Sequence, residues 1–385
     1  MTLIAKFALI ALISTMMVTA PSEDTNSQLT HYAHQPNEAE RIREDQWHLR
    51  YLDLTRVQTI SQGDGVVVAV PDTGVDPHPD LRDNLLQGID TVSGGSGDGQ
   101  TDSNSHGTSM AGLIAAHGRG GNSGALGVAP RSKILPIKAA AADNYGEADD
   151  LAAALEYATS KRVQVISISS DGPSTERLIR AVQAALAADI TIVAAAGNLP
   201  FGSLGYPASE DGVIAVGGVG RDGLHAAISV TGPKIDVAAP AVDIYSTSYD
   251  GKYSKGTGTS SATAIVAGAA ALIRSKYPYL PAREVAHRLT ATAIDKGPPG
   301  RDDEYGYGVI DLVAALTADV PPLGFESVSA PAGAGPTTTD AQPGDGGATA
   351  RGLATLGVIL AVGVGWAVVA RRRRRGDDPP PRISR

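Results

Sequence analysis

The sequence predicts an α/β fold in which a mostly parallel central sheet is covered by helices on both faces. Uninterrupted apolar runs of strand length recur along the chain, at 65 to 70 (GVVVAV), 133 to 139 (KILPIKA), 163 to 169 (VQVISIS), 190 to 197 (ITIVAAAG) and 213 to 219 (VIAVGGV). Helical patterns separate several of them, at 147 to 161 and, with amphipathic spacing, at 174 to 189. Strands that are apolar throughout and alternate with helices are typical of a parallel sheet buried on both sides.

Composition narrows the class of protein. Hydrophobic residues make up 42% of the 385 residues and charged residues 19%, which fits a globular protein. The chain has no cysteine, and this excludes disulfides, thiolate metal sites and a cysteine nucleophile. The net charge is −9, and residues 371 to 385 alone carry seven Arg and two Asp, a net +5 that leaves −14 on the rest of the chain. Such an acidic body argues against nucleic-acid binding.

The N-terminus has the pattern of an export signal. Residues 1 to 6 contain one Lys, residues 7 to 18 are apolar, and the chain becomes polar after Ala20. This pattern predicts a secretory signal peptide over residues 1 to 20. The alternative is a buried helix, which the position at the very start of the chain disfavours.

The C-terminal region has the pattern of a membrane anchor. Residues 352 to 370 contain no charge and, as a helix, would span about 30 Å of hydrocarbon. Five consecutive Arg follow at 371 to 375 and mark the cytoplasmic side. We therefore expect a single-pass membrane protein whose tail, 371 to 385, is cytoplasmic and whose main body lies outside the cytoplasm. A core helix followed by a basic tail is disfavoured because no polar face is visible.

Three further segments complete the expected organisation. Residues 21 to 45 are polar and form an N-terminal extension or a short propeptide. Residues 46 to 318 form the folded domain. Residues 319 to 351 are rich in Pro, Gly, Thr and Ala and form a flexible linker.

Four polar residues lie where an α/β fold places functional groups, at strand ends and helix starts. Asp72 follows an apolar strand, His106 precedes Gly107 and a helix of small residues, and Ser260 lies between a Gly-rich turn and a long helix. Asn198 ends the segment AAAGN. Taken singly, these residues are also explained as a turn former, a surface histidine and a helix N-cap. The other seven histidines have no such context and are interpreted as structural or solvated.

The order of these segments carries a family resemblance. DTGVD, HGTSMAG and GTSSATAIVAG, with AAAGN between the last two, resemble the motifs of the subtilisin (subtilase) family over most of residues 46 to 318. Within it, the layout most resembles the mycosins, proteases associated with type VII secretion. The features that carry this second resemblance are QWHLRYLDL at 46 to 54, the short extension, the Pro-rich linker and the C-terminal anchor.

The resemblance implies a subtilisin-like fold and a serine endopeptidase with Asp72, His106 and Ser260 as its triad. It implies that the Asn198 amide and the Ser260 backbone N–H bind the oxyanion of the tetrahedral intermediate. It further implies a substrate pocket lined by two segments: Ser169, Ser170, Asp171 and Gly172, and Ala195, Ala196 and Gly197. Asp171 would either favour a basic substrate residue or remain a solvated carboxylate at the rim.

No cofactor or metal is predicted. Many subtilases bind calcium, but the loop from 117 to 127 contains no carboxylate. The expected partners are protein or peptide substrates and a type VII secretion membrane complex, in which the enzyme would process secreted proteins after export. Two alternatives stay open: a general cell-surface or shed protease without a secretion partner, and a structural component of a secretion complex whose proteolysis is secondary.

Overall fold

The structure is a computed structural model that describes residues 38–324 except 93–94, 121, 142–145 and 201–203. The predicted signal peptide, transmembrane helix and basic tail lie outside the described residues, as do residues 21–37 of the extension and most of the linker. Within the described ranges, no helix is long and apolar enough to cross a membrane.

A seven-stranded sheet forms the centre of the domain, and all of its neighbouring strands are parallel. Its strands are β1 (Val67–Asp72), β2 (Ile89–Asp90), β3 (Lys133–Lys138), β4 (Val165–Ile168), β5 (Thr191–Ala195), β6 (Ile214–Val219) and β7 (Val237–Pro240), arranged in the order β2-β3-β1-β4-β5-β6-β7. β8 (Ile244–Thr247) and β9 (Tyr253–Gly256) form a separate antiparallel pair. The predicted α/β fold with a mostly parallel sheet is therefore confirmed.

Helices cover both faces of this sheet. They are α1 (Glu38–Asp45), α2 (Trp47–Tyr51), α3 (Leu54–Val57), α4 (His106–Ala115), α5 (Ala148–Ser160), α6 (Glu176–Ala187), α7 (Thr259–Lys276), α8 (Ala282–Ala291) and α9 (Leu312–Thr317). The alternation of side chains along β1 divides the core: Val68 and Val70 join the cluster beneath α4 and α7, and Ala69 joins the cluster beneath α5 and α6. Because the strands in the middle of the sheet are covered on both sides, their sequences are mostly apolar.

Helix α7 passes through the interior of the domain. Every residue from Ser261 to Arg274 is buried, so the Ala and Gly residues of this helix set how closely it approaches its neighbours. A Cβ at Gly268 would lie 2.7 Å from the Cβ of Val128, which is too close for two carbon atoms. Glycine, which has no Cβ, fits at this position. The small side chains thus fix the position of the helix that carries Ser260 at its N-terminal end.

The packed domain begins earlier than the predicted boundary at residue 46. In α1, which belongs to the predicted extension, Ile42 is 3% exposed and packs with Ala116 and Ala125. The Arg43 guanidinium donates hydrogen bonds to the carbonyl oxygens of Gly124, at 3.0 Å, and Ser123, at 3.2 Å. A helix with one buried apolar residue among charged neighbours gives little signal in the sequence, and this is why residues 38–45 read as an unpacked extension.

The parallel arrangement brings the polar candidate residues to one edge of the sheet. Asp72 is the last residue of β1 rather than the first residue after it, and it stays in register with Lys138 of β3. Ser169 directly follows β4, and Asn198 lies three residues after β5. Since the carboxyl ends of parallel strands meet at the same edge, the segments that follow these strands form a crevice there.

Candidate active site

A hydrogen-bonded pair of Asp72 and His106 lies at the edge of the crevice. His106 Nδ1 is 2.8 Å from Asp72 Oδ1 and 2.9 Å from Oδ2. Because a carboxylate can only accept, Nδ1 carries the proton and Nε2 keeps its lone pair. Asp72 is 7% exposed, and its Oδ1 also accepts a hydrogen bond from the backbone N–H of Thr73 at 2.7 Å.

Gly107 allows α4 to approach β1 closely enough for this contact. A Cβ at position 107 would lie 2.1 Å from the carbonyl oxygen of Gly74 and 3.1 Å from the Cβ of Asp72. Any side chain there would push the helix away from the strand end. The small residue beside His106, noted in the sequence, is therefore a steric requirement of the Asp72–His106 contact.

Ser260 lies at the N-terminal end of α7. Its hydroxyl donates a hydrogen bond to the carbonyl oxygen of Ser169 at 3.0 Å. The N-cap of α7 is Gly258 and the helix begins at Thr259, so interpretation of Ser260 as the N-cap is wrong. The hydroxyl is consequently not used in capping. Thr259 N–H and Ser261 N–H already donate, to Asn198 Oδ1 and to the carbonyl oxygen of Gly258, so the Ser260 N–H is the donor of the helix start that a ligand would use.

Asn198 is held with its amide nitrogen available. Its Oδ1 accepts hydrogen bonds from the backbone N–H of Thr259 at 2.9 Å and from the Thr259 hydroxyl at 3.3 Å. Because Thr259 occupies the oxygen, the NH₂ group is directed elsewhere and is free to donate. Thr259 was not identified from the sequence; the only signal was its place next to Ser260.

These residues share a cavity of about 440 Å³. Its lining includes Asp72, His106, Asn198 and Ser260 together with the predicted segment Ser169, Ser170, Asp171 and Gly172. Ala195 and Ala196 are buried at the end of β5, 3% and 0% exposed, and with Gly197 they are not part of the described lining. A role for this second segment in substrate binding stays a prediction.

The rest of the described lining was not identified from the sequence. It includes the apolar residues Ala139, Ala148, Leu151 and Leu178, together with Tyr206 and Glu147. These residues come from α5, α6 and loops, which the sequence gave no reason to bring together.

Three titratable groups of the cavity have shifted pKa values, and for one of them, Tyr206, burial and the charge of Glu210 raise the pKa to about 12. Burial alone would lower the pKa of His106, but the charge of Asp72, its hydrogen bond and the charge of Asp102 together raise it above the usual value. Burial raises the pKa of Asp171, and a hydrogen bond to its own backbone N–H opposes this effect. Among the described residues, no group of three or more His, Asp or Glu side chains is placed to hold a metal ion.

Comparison with known proteins identifies the family. The model of the subtilase family, Peptidase S8, matches residues 63–308. Subtilisin DY of Bacillus licheniformis is 41% identical over 260 residues, which are 66% of this chain and 92% of the relative. Subtilisin Savinase of Lederbergia lenta is 37% identical over 254 residues, 66% and 91% of the two chains. The chain belongs to the subtilase family and is a subtilisin-like serine endopeptidase.

A solved structure is similar in fold over most of the domain. The crystal structure of MycP1 with the N-terminal propeptide removed superposes with a TM-score of 0.64 at 30% sequence identity. The match covers 71% of this chain and 98% of that one. The predicted likeness to mycosins is therefore supported in three dimensions as well as in the motifs.

The electrostatics of the pair predict how His106 titrates. Its pKa should lie above 6.5, because the opposing charge of Asp72 favours the imidazolium. In Asp72→Asn both the charge and the charge-assisted hydrogen bond are lost while the burial remains, so the proton should be released at a lower pH. Imidazole NMR signals followed against pH measure both values.

His48 provides an internal reference for this titration. It is fully buried, and burial lowers its pKa to about 3. Its signals should stay constant through the pH range in which His106 titrates, in both proteins. An unchanged His106 midpoint in Asp72→Asn would contradict the electrostatic account.

Proposed function

We propose that the chain is a membrane-anchored serine endopeptidase that acts outside the cytoplasm, in association with a type VII secretion complex, and processes secreted proteins. The observation that carries the catalytic part is the convergence of the Asp72–His106 pair and Ser260 on one cavity. Ser260 is the nucleophile, His106 the general base and acid, and Asp72 the residue that orients the imidazole.

The first step is attack on the scissile carbonyl by Ser260 Oγ. Its hydroxyl turns from the carbonyl oxygen of Ser169 toward His106 Nε2, which takes the proton as the new C–O bond forms. Asp72 stabilises the resulting imidazolium through Nδ1. His106 then donates the proton to the leaving amine, and a water molecule, deprotonated by the same imidazole, releases the acyl group from Ser260.

Negative charge on the tetrahedral intermediate is stabilised by donors that are already in position. The Ser260 N–H at the start of α7 and the Asn198 amide supply the two hydrogen bonds. Since Thr259 fixes the orientation of Asn198 before substrate binds, the amide needs no reorganisation during the reaction.

The secretion role is supported by the similarity to MycP1 and by both ends of the sequence. The apolar segment at 352 to 370 and the five Arg after it support an anchor with a cytoplasmic tail, and residues 1 to 20 support export. Two alternatives are a surface or shed protease without a partner and a structural component with secondary proteolysis, and the second predicts a different deletion phenotype, which is tested below.

Replacement of Asn198 tests the oxyanion contact. We expect Asn198→Ala to lower kcat by about 100- to 1,000-fold, the loss found for the corresponding contact in subtilisin itself, with little change in KM. Asn198→Asp is the matched variant, because it keeps the acceptor for Thr259 N–H but replaces the donor by a carboxylate oxygen that repels the oxyanion, so kcat should fall at least as far. Steady-state hydrolysis of a peptide substrate measures both, and a raised KM with unchanged kcat would assign Asn198 to ground-state binding instead.

Replacement of Ser260 tests the nucleophile. A fluorophosphonate probe should label the full-length protein in isolated membranes and should not label Ser260→Ala. Peptide hydrolysis should fall by about a million-fold, as it does in subtilisin when its nucleophile is removed. Ser261→Ala removes the next hydroxyl along the chain and should keep its labelling; equal labelling of wild type and Ser260→Ala would rule out the assignment.

The cellular role is tested by comparing gene deletion with Ser260→Ala. If the chain processes secreted proteins, both should abolish their cleavage, and Ser260→Ala should leave secretion intact. A secretion defect in the deletion that Ser260→Ala restores would favour the structural alternative.

The orientation in the membrane is tested with a reporter protein fused after Arg385. A reporter that is active only in the cytoplasm should show activity; activity of a reporter that works only outside the cytoplasm would refute the orientation.

A further inference from the structure

The N-terminus of α4, which carries His106, is capped by side chains that come from outside the helix. The first N–H groups of a helix lack partners within it, and the N-cap residue Ser105 forms no side-chain hydrogen bond to them. The acceptors are Asn104 Oδ1 for His106 N–H at 3.2 Å, Thr73 Oγ1 for Gly107 N–H at 3.0 Å, and Asp102 Oδ2 for Thr108 N–H at 3.0 Å. The direction of the helix start, and with it the place of the imidazole, is therefore set by these three contacts.

Asp102 accepts more hydrogen bonds than the other two residues. Its Oδ1 accepts from the Thr73 hydroxyl at 3.0 Å and from the backbone N–H groups of Asn104 and Ser105 at 2.8 and 3.0 Å. Its Oδ2 accepts from both the N–H and the hydroxyl of Thr108, at 3.0 and 2.6 Å. The side chain is only 5% exposed. All five donors are neutral, so the carboxylate keeps an unneutralised charge inside the domain.

Through Thr73, this carboxylate also reaches the segment that carries Asp72. Thr73 directly follows Asp72, and its hydroxyl donates to Asp102 while accepting from Gly107 N–H. Thr108 makes a second link, because its hydroxyl accepts from the backbone N–H of Asp76 at 2.9 Å. Asp102 thus joins the end of β1 to the start of α4 at two points, on either side of the Asp72–His106 contact.

The turn that leads into the helix depends on the same residue. Ser105 has φ +85°, in the left-handed region that residues other than glycine seldom adopt. The Asp102 carboxylate accepts from its N–H, and the Ser105 hydroxyl lies 2.8 Å from that of Ser248. Without Asp102, the conformation that turns the chain into His106 loses its main support.

We propose that Asp102 is a positioning residue for catalysis: a second buried carboxylate that fixes His106 against Asp72 and stabilises the imidazolium without touching it. This inference rests on the proposed catalytic roles and extends them to a residue four positions before His106. It also explains why Thr73 and Thr108, which carry hydroxyls, occupy the two places where this carboxylate needs donors.

The charged groups near His106 are consistent with stabilisation of its imidazolium by Asp102. Asp72 contributes the largest attraction on the imidazolium, and Asp102 adds to it. Asp76 lies in the segment after β1 with its carboxylate accepting from Asp250 N–H, and Lys138 of β3 donates to the carbonyl oxygen of Thr101. The segments of α7 and β8 that pack against α4 carry no charge there: β8 is IYST, and Arg274 and Lys276 lie at the far end of α7.

Asp102→Asn is the central variant, because the amide has one acceptor oxygen and cannot satisfy the donors at both ends of the original carboxylate. We expect kcat to fall about 10- to 100-fold, the scale of a displacement of a catalytic group by about 1 Å, with KM changed much less. The His106 midpoint, measured by NMR, and the acid limb of kcat/KM should both move to lower pH. Asp98→Asn removes the same charge from an exposed position of the same loop and should leave all three quantities at wild-type values.

Rates are expressed per active site, counted by fluorophosphonate titration of the full-length protein. If Asp102→Asn merely lowers the number of active sites, with kcat per site and the His106 midpoint unchanged, Asp102 is structural and the proposal is overturned. If Asp102→Asn does not fold, Thr73→Val and Thr108→Val each remove one hydroxyl donor to Asp102, together with the acceptor of one backbone N–H (Gly107 and Asp76, respectively), and keep the charge. These variants should lower kcat per site while the His106 midpoint moves less than in Asp72→Asn; wild-type kcat in both would also overturn the proposal.

Failure of the Asp102 proposal can be distinguished experimentally from failure of the proposed function. If wild type is not labelled by the probe, or Ser260→Ala still hydrolyses peptides, the catalytic assignment itself fails. If wild type is active and Asp102→Asn behaves like it, only the role of Asp102 fails. The NMR midpoint of His106 reports the electrostatic part of the proposal independently of activity.

Discussion

The hydrogen bond between Asp72 and His106 is the contact on which the rest of the site depends. It joins the last residue of β1 to the first residue of α4, so it requires a strand that ends at the crevice and a helix that begins there. Gly107 permits the approach, because any side chain would collide with the backbone of Gly74. With Nδ1 bound by the carboxylate, Nε2 keeps its lone pair in the neutral imidazole, and this is the tautomer that the proposed general base requires.

The second half of the site depends on α7 in a similar way. Small side chains let this helix pass through the interior, and its N-terminus then presents the Ser260 hydroxyl together with the Ser260 N–H. Thr259, one residue earlier, holds Asn198 through its backbone N–H. The proposed nucleophile and the two proposed oxyanion donors are thus fixed relative to one helix end, whereas the proposed base and its carboxylate are fixed relative to another. Packing of α4 against α7 sets the distance between the two halves.

Strands and motif residues, which short segments encode, could be predicted from the sequence. Contacts between residues that are distant in the sequence could not. Apolar runs identified five of the seven sheet strands, and motif order identified Asp72, His106, Ser260 and Asn198, which the structure brings to one cavity. Helix α1 was missed because Ile42 is its only buried residue, and the alternative explanation of Ser260 as an N-cap arose because a Ser before a helix usually is one. Asp102 was not identified from the sequence. Its importance comes from Thr73, 29 positions away, and such a pairing has no periodicity.

Buried carboxylates also organise the neighbouring loop in this cysteine-free chain. Asp80 is fully buried and accepts from Arg119 Nε at 2.6 Å, the Tyr253 hydroxyl at 2.7 Å and Ala125 N–H at 2.7 Å. It therefore ties the segment after β1 to the loop at 117 to 127 and to β9. Disulfides cannot fasten these segments, because the chain has no cysteine. Along the chain, Asp80 and Asp102 both lie between Asp72 and His106. Because each carboxylate accepts from several donors at once, loss of either side chain would remove a set of contacts rather than one.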